Sequence, residues 1–141
     1  MKIHTTNYIN TFITVAIDTK LTQGTIPPQR SNKKSLATLH YELLSKYPYK
    51  YTSDDFFLKV YAIRNDLTAN ELEIQRQKFF SKVQPCFRAS PLTKQYGWGV
   101  HSDKNGKIAL FGMETKEYQN FIEKSDIKKI SAMRSARKRL Q

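Results

Sequence analysis

Ile9, Ile13, Val15 and Ile17 fall on one parity and alternate with smaller or polar side chains. Successive side chains of a strand point to opposite faces, so this spacing predicts a strand over about residues 8–17. Residues 18–33 follow as a long loop, marked by Gly24 and Pro27-Pro28. The period then changes. Leu36, Leu39, His40, Leu43, Leu44 and Tyr47 recur at three- and four-residue steps, which predicts an amphipathic helix over about 34–46, closed by Pro48. Its stripe includes His40, read as a core histidine. Thr52-Ser53-Asp54-Asp55 reads as a second helix start: a hydroxyl accepts from the free N–H groups, and the two carboxylates complement the positive end of the dipole. Phe56, Phe57, Val60, Tyr61 and Arg64 give that helix a mainly apolar stripe. Thr68-Ala69-Asn70-Glu71 is a capping box for a third helix over about 69–82, with Leu72, Phe79, Phe80 and Val83 expected inward.

Beyond Pro85 the pattern predicts short strands at 86–90, 97–102 and 107–112. Asp103-Lys104-Asn105-Gly106 joins the last two as a hairpin turn, Asn-Gly tolerating positive φ. Residues 114–124 read as a helix with Tyr118, Phe121 and Ile122 inward. Ile127, Ile130 and Met133, three apart, favour a weak final helix over an extended strand. The order β-α-α-α-β-β-β-α-α keeps strands and helices segregated. The expected fold is therefore α+β: a small antiparallel sheet of about four strands with helices packed on one side, in a single domain spanning 1–141.

Charge changes this picture most. Against 12 Asp and Glu stand 24 Lys and Arg, a net charge of +12. Half of it lies in residues 124–141, which hold seven bases and one acid, so a basic C-terminal tail is expected from about 125 onward. Such an excess attracts polyanions over long range. The expected partners are an anionic ligand or a nucleic acid, the latter through the tail. No apolar run approaches the roughly 18–20 residues that span a bilayer, so no membrane is expected. The start of the chain carries no apolar signal segment, and the single cysteine, Cys86, forms no internal disulfide. Together these predict a cytoplasmic protein. The oligomeric state is left open.

The five glycines form no phosphate-binding fingerprint, and one Cys with three scattered His does not make a structural zinc set. No cofactor and no metal are expected. The chemistry instead gathers in Gln84–His101, which holds the lone Cys86 and the lone Trp98 beside Arg88, Lys94 and His101. On adjacent antiparallel strands these side chains would converge on one face. Arg88 and Lys94 would hold a carboxylate or phosphate, Arg as a bidentate fork. Gly97 and Gly99 on either side of Trp98 indicate a backbone that something approaches closely. The expected ligand-binding residues are Arg88, Lys94, Trp98, His101 and Cys86. The expected function is a non-catalytic binding module for an anionic ligand or partner. One alternative is a small cysteine-dependent enzyme with Cys86 as nucleophile and His101 as base. The other is nucleic-acid binding through the basic tail.

Pro85–Lys94 and Tyr96–His101, with Asn10–Ile13, Ile26–Pro28, Tyr49–Asp55, Gly106–Leu110 and Ala132–Ser135, resemble an uncharacterised bacterial family, domain of unknown function 6157. The resemblance covers nearly the whole chain and implies one domain. It implies no activity, but Cys86, Arg88, Lys94, Trp98 and His101 lie in its most recognisable stretch.

Overall fold

The computed structural model describes residues 2–29 and 31–136. Hydroxyl side chains set the starts of the helices. Ser35 opens α1 (Leu36–Lys46) by accepting from the Thr38 N–H. Thr52 opens α2 (Ser53–Arg64) by accepting from Asp55, and the expected capping box of Thr68 and Glu71 opens α3 (Ala69–Phe80). Each such cap satisfies one of the donors a helix start leaves free. Phe80 is buried, whereas Val83, expected inward, lies beyond the helix and is exposed.

One four-stranded sheet collects β1 (Thr11–Thr14), β2 (Trp98–Ser102), β3 (Ile108–Gly112) and β4 (Lys128–Ser131), in the order β3-β2-β1-β4. β2 pairs antiparallel with both β1 and β3, while β4 pairs parallel with β1, Thr11 facing Lys128 and Ile13 facing Ile130. The fold is α+β around a four-stranded sheet, as expected; the sheet is mixed rather than wholly antiparallel. The final segment is this fourth strand, not a weak helix. As an edge strand it carries Lys128 and Lys129, and such lysines hide the alternation that would betray a strand.

Alternation along the strands separates two cores. Ile13, Val100 and Ile108 face α1 and α2, where they pack with Leu39, Leu44, Phe56, Val60 and Phe87. Phe12 faces the other way and packs with Tyr118, Phe121 and Ile122 of α5 (Lys116–Glu123). Helices therefore cover both faces, α5 opposite α1 and α2, rather than packing on one side as expected, because Phe12 and Ile13 alternate and each face of β1 needs cover.

Segment 86–90 is not a strand. Phe87–Ala89 turns as a 3-10 helix, and Ser90-Pro91 opens the short α4 (Pro91–Gln95), with Ser90 accepting from the Leu92 N–H. Proline at the first helical position is pre-set for this role, since its missing N–H would find no partner there. The 103–106 turn forms as expected, with only Gly106 at positive φ (+78°) and the Asp103 carboxylate accepting from the Asn105 and Lys107 N–H groups.

Candidate functional site

The five residues expected to share a face do not. β2 alternates, so Trp98 and His101 point to opposite sides of the sheet. Trp98 packs on Tyr41 of α1, and its indole N–H donates to the Thr25 carbonyl at 2.9 Å. His101 stacks on Phe121 of α5 at 4.2 Å, and its Nδ1 lies 2.8 Å from the Tyr49 hydroxyl. Burial holds the His101 imidazole below its ordinary value and pushes the Tyr49 phenol up to about 12. Arg88 serves the fold: its Nε–H donates to the Ser131 carbonyl on β4, and its own carbonyl accepts from Met133. Lys94 stands half-buried on α4. The strand assumed at 86–90 would have aligned Arg88 with β2; the 3-10 turn there removes that register.

Cys86 and His101 do not meet either. Cys86 precedes Phe87 on the α1–α2 side, with Sγ 3.5 Å from the Tyr8 hydroxyl. Burial, and then this contact, push the Tyr8 phenol up to about 12. With the sheet between them, the nucleophile–base pair lacks the contact it requires. The close approach expected at Gly97 and Gly99 is real, but the neighbours belong to the chain itself: a Cβ on Gly97 would stand 2.5 Å from the Gln23 carbonyl.

What the chain does assemble is a cavity of about 470 Å³ on the α1–α2 side. α1 contributes Leu36 and His40, with Lys33 just ahead of it. α2 contributes Phe57, Val60, Tyr61 and Arg64, and Phe79, Cys86 and Ser90 close the ring. Of the five expected residues, only Cys86 lines it. Its walls are mainly apolar. Its charged groups are Lys33 and Arg64, both exposed, and no carboxylate is among the lining residues. The two ion pairs of the described residues, Lys34–Glu42 and Arg76–Asp55, leave both of these cations unpaired. His40 is 2% exposed. Its Nδ1 sits 2.9 Å from Ser90 Oγ, and its Nε2 is the one buried side-chain polar atom among the described residues without a hydrogen-bond partner. Burial, reinforced by the Arg64 charge, pulls the His40 imidazole down to about 4.

The family profile described as "Family of unknown function (DUF6157)" matches residues 3–138. The chain belongs to the DUF6157 family. Comparison with curated proteins and with solved structures gives no match. Among the described residues of this DUF6157 member, no helix is long and apolar enough to cross a membrane, and no group of three His, Cys, Asp or Glu side chains is placed to hold a metal ion.

The cavity residues come from four separate stretches of chain, which is why no local motif announces them. One signal was available. The α2 stripe at positions 57, 60, 61 and 64 ends on a charge, and a cation closing an apolar stripe marks the mouth of a groove as readily as the edge of a core.

Proposed function

We propose that this DUF6157 protein is a non-catalytic binding module whose α1–α2 cavity takes a small amphipathic anion. The apolar body lies against Leu36, Phe57, Val60 and Phe79, and the anionic group meets Arg64 and Lys33 at the mouth. The supporting observation is the charge asymmetry of the lining: two cations without carboxylate partners border an otherwise mainly apolar space. Apolar walls with a few placed polar groups are the usual make-up of a small-molecule site. The net charge of +12 adds long-range attraction for anions.

Decanoate is a suitable probe, followed by NMR shift mapping and calorimetry. It should bind saturably, shifting Phe57, Val60 and Cys86, while decan-1-ol binds more weakly. Arg64→Gln should weaken decanoate roughly three- to fivefold, since an exposed ion pair contributes up to about 1 kcal/mol. Shifts confined to the opposite sheet face around His101, or no saturation, would refute the proposal.

A further inference from the structure

We infer that His40 is a buried recognition group of this cavity, donating its Nε2–H to an uncharged acceptor oxygen carried on the ligand's apolar body. The inference rests on the cavity reading above and names the ligand class more closely. Its basis is the hydrogen-bond arrangement around the ring. Ser90 Oγ accepts from the Leu92 N–H at 3.2 Å, and among the described residues the one acceptor within reach of its own proton is His40 Nδ1, 2.9 Å away. With Nδ1 accepting, the imidazole proton sits on Nε2. That N–H is a buried donor with no partner. The rings packed on the imidazole, Phe56, Phe57 and Phe87 with centroids 5.2, 5.5 and 5.9 Å from its own, offer no oxygen. A buried donor left unpaired is costly and calls for an explanation, and the residue that carries this one also lines an open cavity.

Nε2 itself is closed to water. Access therefore requires one ring to turn aside, and Phe57 is the one placed to do so: it is half-buried, stands in the cavity wall and packs against the imidazole, whereas Phe56 and Phe87 are fully buried. Phe57 and Arg64 lie seven residues apart on α2, a rise of roughly 10 Å. Taking Phe57, whose ring packs on His40, as the near end, the inferred ligand is an acid whose carbonyl oxygen is set off from its anionic group by an apolar spacer on the order of 10 Å. A medium-chain oxo acid has this form.

The test compares 9-oxodecanoate with decanoate on the full chain, by calorimetry and by ¹⁵N spectra of the histidine rings. 9-Oxodecanoate should bind about five- to tenfold tighter, the size of one net hydrogen bond, and should shift His40 Nε2 while decanoate does not. Equal binding of both probes, with cavity side chains perturbed and His40 Nε2 unmoved, would overturn the role of His40 and leave the cavity reading standing. Failure of both probes to bind would overturn both. The comparison varies the ligand rather than the core, so a misfolded His40 variant does not enter it.

Discussion

At the scale of single residues, His40 links burial to pH. Its folded value is about 4 against 6.5 for an ordinary imidazole, so as pH falls the unfolded chain takes up the proton first. The stability His40 contributes is complete above about 6.5, declines between there and 4, and levels off below. Over the whole window the loss is about 3 kcal/mol. Urea midpoints at pH 7.5, 5 and 4, with the His40 ring protons followed by NMR, check this; a ring titrating near 6.5 would contradict it. Gly99 sets a steric limit on the other sheet face. A Cβ there would lie 2.5 Å from Phe12 Cζ and 2.7 Å from the Tyr118 ring. Both rings are buried, so Gly99→Ala should cost about 1–3 kcal/mol by overpacking, read as a lower urea midpoint with unchanged slope.

At the scale of elements, Ser90 does two jobs. It caps α4 and holds His40 Nδ1, whereas the Thr115 hydroxyl caps α5 and otherwise donates only to the Gly112 carbonyl three residues back. Thr115→Ala should cost about 1 kcal/mol. Ser90→Ala should cost roughly 2–4 kcal/mol, because it also orphans a buried ring nitrogen. Equal thermal shifts for the two variants would show that the Ser90–His40 contact contributes nothing. Legibility also divides by element. The first three helices could be read because hydroxyl caps and apolar stripes are local signals. The 97–102 and 107–112 strands could be read because Asn105-Gly106 fixes the turn between them. Segment 86–90 has the pattern of a strand yet folds as a 3-10 turn, and the local signal for this is Ser90-Pro91, a cap followed by a first helical position. β4 is hard to read from sequence because an edge strand buries little, and its lysines leave Ile130 with no alternating partner within the strand. The failure of the Arg88–His101 face has an arithmetic root: 98 and 101 differ by an odd number, so one strand must send them to opposite sides.

At the scale of the whole molecule, the segment expected to be a basic tail divides in two. Residues 128–131 complete the sheet, and the Asp18 carboxylate accepts from Ser135 N–H, Ser135 Oγ–H and Ala136 N–H. Arg137, Lys138 and Arg139 lie outside the described residues. Removing 125–141 should abolish cooperative unfolding, because it strips β1 of a neighbour and Arg88 of its acceptor. The parallel pairing also fixes an order of events in time. Thr11 meets Lys128 across 117 intervening steps of chain. Closing so long a loop is entropically expensive, whereas the β2–β3 hairpin closes locally. On the ribosome, then, β1 waits with one side unpaired until almost all of the described chain has emerged. For that interval its row of free N–H and C=O groups is open to strands of other nascent chains. Synthesis that stalls before Lys128 should yield an aggregating fragment rather than a partly working protein.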